Sequence, residues 1–320
     1  MSEVTVAFVD FWPKFNVFNN VLIDHIAASG YRPVVVGIEA QPQLVICSKF
    51  GKTKIAMQTS LPKLAYIGES ITLEHPVFGY ENLRRIISTT DLDHPLVHFY
   101  PWGCNYHDIQ KLYKPVTCDT VFDIEKAKTR FCCFVVSNGQ CLVRNEIFLQ
   151  LGKYRNVDSA GSALNNMPDG IRAPGAIDDS IGHGENLDFI NWLRQYKFVI
   201  CCENQATPGY HTEKITNAYL ANTVPIYWGA STIDRLHNLD SMVYFHGLAD
   251  IQRAVQRVIE LDNHGGLYRS MLLANPFKIP LDCIDSPYNY ARHTRAIGEV
   301  LKGILHSAAI SSPETRTPPR

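Results

Sequence analysis

The feature that most constrains this fold is a succession of short, continuous apolar runs separated by helix-length segments. Residues 198–202 and 224–228 are two such runs, and residues 212–221 between them have the pattern of a helix. Apolar runs without polar alternation are typical of strands that are buried on both faces, as in parallel sheets. Because parallel neighbours need a crossover, usually a helix, this order predicts strand-helix-strand units and an α/β fold.

The same alternation extends over both halves of the chain. In the first half it predicts strands at residues 4–9, 33–38, 44–48, 54–57, 63–67 and 96–100, and a helix at 16–28. In the second half it adds a strand at 131–136 and helices at 145–151 and 187–195. Both halves are therefore predicted to be doubly wound domains, in which ligands bind outside the carboxyl ends of the strands.

The length of 320 residues is long for a single core and favours two domains. Residues 119–130 are charged and have the composition of a linker, so we place the boundary there. The predicted division is an amino-terminal domain at 1–127, a second domain at 128–310 and a disordered polar tail at 311–320. A cleft between the two domains is the default position for a ligand.

Charge and composition exclude several classes of function. Thirty basic and thirty-one acidic side chains give a net charge of −1, so no global field attracts nucleic acid. No apolar run reaches the roughly 18 residues of a transmembrane segment, and the first residues lack the pattern of a signal peptide. We expect a cytoplasmic protein, either free or peripheral at the inner face of the membrane. The nine cysteines form no Cys-x-x-Cys pair and are expected to be reduced, with Cys132-Cys133 and Cys201-Cys202 in the core.

The residues with the clearest chemical meaning follow the run at 198–202. Glu203 and Asn204 end that strand, and Thr212, Glu213 and Lys214 begin the next helix. The free N–H groups and the dipole of a helix start attract anions, and a lysine adds a full charge, so this segment is suited to a diphosphate. Taken singly, these residues could be solvated helix-start residues; their joint order and spacing favour a binding site.

That order resembles the signature of the α-1,3-fucosyltransferase family, the GT10-type enzymes. The family has an acidic-Asn pair, a Tyr-x-Thr-Glu-Lys core and a closing Pro-Ile-Tyr-Trp-Gly strand, and this chain has all three, at 203–204, 210–214 and 225–229. The resemblance covers residues 131–229 well and the first half only in outline. It is closest to soluble bacterial members. One departure is Cys202, where the family usually has Phe, which bears on packing behind the nucleotide.

The resemblance implies a GT-B fold, in which two Rossmann-like domains face each other across an interdomain cleft. GDP-fucose would be held by the second domain and the acceptor by the first. Residues 135–138 and 143–145 resemble the family's first nucleotide-domain strand and the arginine that follows it. The expected donor-binding residues are Ser137, Asn138, Arg144, Asn204, Tyr210, Glu213 and Lys214. Of these, Arg144, Lys214 and Tyr210 would contact the phosphates, and Asn204 and Glu213 would orient donor hydroxyls.

The resemblance also implies a catalytic carboxylate. The segment Tyr66-Ile67-Gly68-Glu69 resembles the strand end that presents the family's general base, which assigns that role to Glu69; read by itself, Glu69 could be an exposed loop acid. The reaction would invert the anomeric centre of fucose. No cofactor and no metal ion are expected, because Arg144 and Lys214 would replace a metal at the leaving diphosphate. Asp91-Leu92-Asp93 has the form of a metal site in another glycosyltransferase fold, but it lies outside the nucleotide segment.

The acceptor implied by the family is N-acetylglucosamine in an N-acetyllactosamine-type glycan, on a protein or a lipopolysaccharide, linked at its 3-hydroxyl or 4-hydroxyl. Acceptor choice would lie in the loops at 70–80 and 101–107, whose aromatic residues could stack on sugars or simply pack: Phe78, Tyr80, Trp102 and Tyr106. Two alternatives stay open. One is a GT-B transferase that uses another guanine sugar nucleotide, and the other is a catalytically silent glycan-binding protein.

Overall fold

A computed structural model of the chain describes residues 1–51, 54–101, 109–174 and 187–311, with the side chains of 111 and 308–311 excepted. The strands are β1 Ser2–Val9, β2 Tyr31–Val35, β3 Leu44–Cys47, β4 Lys63–Ile67, β5 Leu83–Ser88, β6 Val97–Phe99, β7 Arg130–Phe134, β8 Val157–Ser159, β9 Tyr196–Ile200, β10 Val224–Tyr227 and β11 Val243–Tyr244. The helices are α1 Val21–Ala28, α2 Ile55–Gln58, α3 Ile109–Leu112, α4 Val121–Ala127, α5 Leu142–Gly152, α6 Leu187–Leu193, α7 Glu213–Leu220, α8 Ile251–Asn263, α9 Gly265–Leu273 and α10 Tyr290–Ser311.

Two parallel sheets confirm the predicted α/β class. One sheet has the strand order β2-β1-β3-β4-β5-β6 and the other β11-β10-β9-β7-β8. In each sheet, the second strand lies on one side of the first strand, and all later strands lie on its other side. The direction changes between β1 and β3 in the first sheet and between β7 and β9 in the second. Such switch points leave a crevice at the carboxyl ends of the strands, where doubly wound folds bind ligands.

Each sheet belongs to its own compact unit. The amino-terminal unit contains Met1–Ser88, Leu92–Tyr100 and α10, and the carboxyl-terminal unit contains Thr89–Asp91 and the described residues of Pro101–Asn289. This division differs from the predicted domains 1–127 and 128–310. Helix α10 joins the amino-terminal unit, where Thr294 Oγ1 lies 2.9 Å from His25 Nδ1 of α1. Asp91 joins the other unit because its backbone N–H donates to the carbonyl of Gly209 at 3.3 Å.

The core of the carboxyl-terminal unit explains the long apolar runs. Strands β7 and β9 lie side by side in the sheet, and their side chains are buried among the helices on either face. The adjacent pairs Cys132-Cys133 and Cys201-Cys202 are fully buried and free, as predicted. Burial raises the pKa of all four thiols, so they remain protonated at neutral pH.

Two predictions of local structure were wrong. Residues 54–57 were predicted to be a strand, but the structure has the short helix α2 there, because the Asp10 carboxylate accepts hydrogen bonds from Ile55 N at 3.1 Å and Ala56 N at 2.9 Å. The segment 119–130 was predicted to be a linker, but α4 forms within it and buries Val121. The predicted tail lies almost wholly outside the described residues, which end at 311. No helix of the described chain is long and apolar enough to cross a membrane.

Candidate functional site

The site lies at the carboxyl ends of β7 and β9, at the switch point of the second sheet. Ser137 and Asn138 follow β7 and are exposed. Glu203 and Asn204 follow β9, and of these Glu203 is fully buried whereas Asn204 is exposed. The predicted donor residues of two separate sequence segments are therefore brought to one edge of the sheet.

Arg144 connects the two strand ends. It lies in the first turn of α5 and only 1% of it is exposed. Its Nη1 donates to Asn204 Oδ1 at 2.7 Å and its Nη2 to the carbonyl of Asn138. Its Nε is buried without a hydrogen-bond partner, and no carboxylate in the described part of the chain forms a salt bridge with it. Burial lowers the pKa of Arg144 while nearby Glu203 opposes that effect, yet a guanidinium stays charged in proteins.

Glu203 is the acidic centre of the site. Its carboxylate accepts hydrogen bonds from Thr212 N at 2.7 Å, from Thr212 Oγ1 at 2.8 Å and from Lys214 Nζ at 3.3 Å. Burial raises its pKa, and Lys214 and Thr212 act in the opposite direction. Glu203 belongs to the family signature but was not among the predicted donor-binding residues. Its role here is to fix the start of α7 and the position of Lys214.

Lys214 is the second cation. Its Nζ also donates to Thr212 Oγ1 at 2.7 Å and lies 3.6 Å from Glu213 Oε1, with 21% of the side chain exposed. Burial lowers its pKa, but the carboxylates of Glu203 and Glu213 outweigh burial and raise it above the usual range. Arg144 again lowers it, so the two cations are electrostatically coupled. Lys214 is therefore charged at every physiological pH and repels Arg144 across the site.

The start of α7 adds a third source of positive potential. Thr212 occupies the N-cap position, yet its side chain makes no capping hydrogen bond, since its hydroxyl donates to Glu203. The N–H groups in the first turn of α7 are thus not satisfied by the cap residue. Free N–H groups at a helix start carry the positive end of the helix dipole and bind anions.

The closing segment at 225–229 holds Glu203 in place. The backbone N–H of Glu203 donates to the carbonyl of Trp228 at 2.8 Å. At Gly229, a Cβ atom would lie 2.7 Å from Glu203 Cγ and 2.6 Å from the Tyr227 hydroxyl, so only glycine fits without displacing them. The Pro-Ile-Tyr-Trp-Gly sequence therefore has a positional function beside the site.

The other predicted donor residues are placed differently. Tyr210 is only 3% exposed and pairs through its backbone with Thr90, so its ring lies in the interior next to the start of α7. Glu213 is partly exposed and contacts Lys214. Ser137 accepts a hydrogen bond from Ser162 Oγ through its carbonyl at 3.5 Å. The hydrogen bonds thus join Asn138, Arg144 and Asn204 in one group.

Glu69, the predicted base, belongs to the amino-terminal unit. It follows β4 by two residues and is half-buried. Lys49 is its electrostatic partner: burial lowers the pKa of Lys49, and Glu69 opposes that effect. Of the predicted acceptor-loop aromatics, Tyr80 is buried and Phe78 packs edge-on against His94 with ring centroids 4.7 Å apart. Both side chains therefore make packing contacts within their own unit. Trp102 and Tyr106 lie outside the described residues.

The arrangement in the carboxyl-terminal unit is suited to a polyanion. Two coupled cations and the N–H groups of a helix start meet at one switch point, where no carboxylate pairs with the buried guanidinium in the described chain. No group of three or more His, Cys, Asp or Glu side chains in the described ranges is placed to hold a metal ion. A diphosphate would supply the anionic partner that the Arg144 guanidinium does not have among the described residues.

Comparisons with known proteins agree with this interpretation. Residues 125–273 match the family described as glycosyltransferase family 10 (fucosyltransferase) C-term. The chain is 33% identical over 164 residues to an α-(1,3)-fucosyltransferase of Helicobacter pylori, a match that covers 51% of this chain and 31% of that protein. It is 33% identical over 155 residues to a protein named a fucosyltransferase of Acanthamoeba polyphaga mimivirus, covering 47% and 24%. The matches thus span only about a third of the relatives' length or less.

The fold is shared more widely than the sequence. A crystal structure of an α1,3-fucosyltransferase aligns over 95% of this chain and 90% of that one, with a TM-score of 0.71 and 23% identity. Its complex with GDP-fucose gives a TM-score of 0.67 at 21% identity, over 99% of this chain and 93% of that one. This likeness confirms the GT-B fold class. Every predicted donor residue lies within residues 125–273, the segment that matches the carboxyl-terminal fucosyltransferase domain of glycosyltransferase family 10.

Proposed function

We propose that this protein transfers L-fucose from GDP-fucose to the 3-hydroxyl or 4-hydroxyl of N-acetylglucosamine in an N-acetyllactosamine-type glycan, with inversion at the anomeric carbon. The observation that carries the proposal is Arg144. It is a buried guanidinium without a carboxylate partner in the described chain, at the switch point of a family 10 domain. An α1,3-fucosyltransferase of similar fold has been determined in complex with GDP-fucose.

Arg144 and Lys214 would bind the diphosphate and stabilise the charge that develops on it as GDP leaves. Preorganised charges aimed at a developing anion are among the largest contributions to catalysis. The fixed geometry of Lys214 supports this role, since Glu203 and Thr212 both hold its ammonium group. Asn204 would orient the donor, because its amide oxygen is held by Arg144 and its side chain is exposed.

Glu69 would act as the general base. As the bond forms between the acceptor oxygen and the anomeric carbon, the bond between that carbon and the β-phosphate oxygen breaks, and its electron pair leaves with GDP. The hydroxyl proton moves to the carboxylate of Glu69, a step usually worth about 10² to 10⁴ in rate. In support of this role, the Glu69 carboxylate accepts no hydrogen bond from any described residue and lies near the cationic Lys49.

The mechanism would need no metal ion. The two cations and the helix start supply positive charge where a metal would otherwise stand. Activity that is lost completely with EDTA and restored by manganese would overturn this part of the proposal.

A protein hydroxyl is a second candidate acceptor. Several relatives are named GDP-fucose protein O-fucosyltransferase 3, among them one from Gallus gallus that is 30% identical over 132 residues, covering 40% of this chain and 26% of that protein. These relatives share the donor with the α-(1,3)-fucosyltransferases and differ in the acceptor. The donor site alone does not distinguish the two reactions.

The deciding experiment measures GDP release from GDP-fucose in EDTA, with N-acetyllactosamine, with a serine- and threonine-containing protein domain, and with no acceptor. We expect release stimulated by N-acetyllactosamine, with a product whose linkage is assigned by NMR. Stimulation by the protein domain alone would favour the second candidate. Release from another guanine sugar nucleotide but not from GDP-fucose would refute the donor assignment, and glycan binding without turnover would indicate a silent binding protein.

A further inference from the structure

We propose that an aromatic platform, formed by Phe11, Trp12, Phe15 and Phe50, binds the apolar face of a sugar ring of the acceptor. The inference rests on the proposed function, since it names a subsite beside the proposed base. None of these four residues was among the acceptor aromatics predicted from the sequence.

The four rings form one continuous contact network. Phe11 and Phe15 are stacked with ring centroids 4.0 Å apart and an interplanar angle of 20°. Trp12 packs edge-on against Phe15 at 4.8 Å and against Phe50 at 5.6 Å. Such pairs stabilise one another beyond the area they bury, so the rings hold a fixed arrangement.

This network is not an ordinary core. Phe11, Trp12 and Phe15 are only half-buried, and Phe50 is 41% exposed. A cluster of large aromatic side chains that stays partly open to water is a candidate interaction site. The platform therefore keeps aromatic surface in water without a partner in the described chain to cover it.

The platform lies where this fold binds ligands. Phe11 and Trp12 follow β1, and Phe50 follows β3, the two strands that flank the switch point of the first sheet. Glu69 follows β4, the next strand in the same sheet. Because parallel strands end at the same edge, these segments emerge side by side.

The backbone at Asp10 preorganises the platform. The carbonyl of Asp10 accepts hydrogen bonds from Phe50 N at 2.9 Å and from Gly51 N at 3.0 Å. A Cβ atom at Gly51 would lie 2.0 Å from Asp10 Oδ1, so the two loops approach as closely as they do only because residue 51 is glycine. A binding surface that is fixed in advance loses less conformational entropy when the ligand arrives.

Contacts connect the platform to the proposed base. Phe11 is stacked on Tyr66 of β4 at 6.4 Å and 10°, three residues before Glu69. Lys49 Nζ lies 6.0 Å from the Phe50 ring centroid and also interacts electrostatically with Glu69. Beside it, the Ser48 hydroxyl is buried without a hydrogen-bond partner in the described chain.

This combination of surfaces fits a carbohydrate. A pyranose has a face of C–H groups that packs on aromatic rings and a rim of hydroxyls that needs donors and acceptors. The platform offers the first, and Lys49 and Glu69 offer the second. A lipid surface is a poorer fit, because side chains that enter a membrane project outward, whereas these rings pack on one another.

The test replaces the rings and separates the acceptor from the donor. In Trp12→Ala and Phe15→Ala we expect KM for N-acetyllactosamine to rise about tenfold, which corresponds to about 1.4 kcal/mol, with GDP affinity within twofold of the wild type. Trp12→Phe, which keeps a ring, should recover most of the loss and shows that folding is not the cause. Phe122→Ala, at a phenylalanine that is 61% exposed on α4, is the matched control and should change neither value.

A second arm works without turnover. Saturation-transfer NMR should detect N-acetyllactosamine on the wild type and lose the signal in Trp12→Ala, even if the proposed transfer reaction fails. An unchanged KM with an unchanged NMR signal would overturn the platform. So would equal losses of GDP and acceptor binding, which indicate general disruption, or reduced sedimentation with phosphatidylglycerol vesicles at unchanged KM, which would assign the rings to a membrane.

Discussion

Replacing Arg144 with methionine should lower the affinity for GDP without lowering the stability of the fold. Methionine fills a similar volume with a flexible apolar chain but carries no charge. In the folded protein Arg144 is 1% exposed, and its hydrogen bonds go to Asn204 and to the Asn138 carbonyl, both on exposed residues. Water can replace the arginine at each of those partners. The cost of losing the two hydrogen bonds is therefore small.

The buried charge itself has the greater effect on stability. Transferring an ion out of water costs several kcal/mol when no opposite charge repays it. Since Arg144 forms no salt bridge within the described residues, we expect Arg144→Met to leave the unfolding free energy of the unliganded protein within about 1 kcal/mol of the wild type, or to raise it. The affinity for GDP should fall by about 1.5 to 3 kcal/mol, roughly 10-fold to 150-fold, which is the usual worth of a charge-assisted contact.

Urea unfolding without ligand and calorimetric titration with GDP measure the two effects. Arg155→Met is the matched control, because Arg155 is exposed and pairs with Asp262 at 3.1 Å in the same unit. It should lose no more than about 1 kcal/mol of stability and bind GDP normally. A variant Arg144→Met that is destabilised by about 3 kcal/mol or more and keeps its GDP affinity would show that Arg144 is a structural tie, and the reasoning would be refuted.

Three further outcomes test the rest of the site. Glu69→Gln should keep its affinity for GDP and lose fucose transfer by about 10² or more, and turnover within a few fold of the wild type would remove Glu69 as the base. Gly229→Ala should lower the unfolding free energy by about 1 to 3 kcal/mol, because its Cβ would meet Glu203 Cγ and the Tyr227 hydroxyl; a normal urea midpoint would contradict the packing argument. Burial lowers the pKa of His211 to about 3 and that of His237 to about 4, so the unfolded chain binds more protons than the folded one below pH 6.5. Stability should therefore fall as the pH drops from 6.5 towards 4, by up to about 1.4 kcal/mol per pH unit for each histidine. A urea midpoint that does not change with pH over that range would show that neither histidine has a lowered pKa in the folded protein.

The sequence indicated the fold class because buried parallel strands are continuous apolar runs. It missed β5, which begins with Leu83-Arg84-Arg85, and the very short strands β8 and β11. Short edge strands depend on hydrogen bonds from a neighbour rather than on their own side chains, so little in their sequence marks them. Helix α2 was missed for a related reason, since its first N–H groups are satisfied by Asp10, 45 residues earlier.

The predicted donor residues lie in the segments after strands and around helix starts, where family signatures are concentrated. The hydrogen bonds that join these segments could not be predicted from the sequence. The contact of Arg144 with Asn204 spans 60 residues and exists because β7 lies beside β9. A chain that instead placed its strands in sequential order would separate the two residues by β8.

Strand order therefore decides what the site can do. In parallel sheets all carboxyl ends share an edge, so a sequence identifies the edge but not the neighbours along it. Placing β9 next to β7 brings the buried Arg144 within the electrostatic reach of Lys214, so that two cations lie in one site. The first sheet repeats the principle with β1 beside β3, where Trp12 meets Phe50 across the same kind of switch point. One topological device thus creates a charged site in one unit and an aromatic surface in the other, and the side chains at the strand ends determine which.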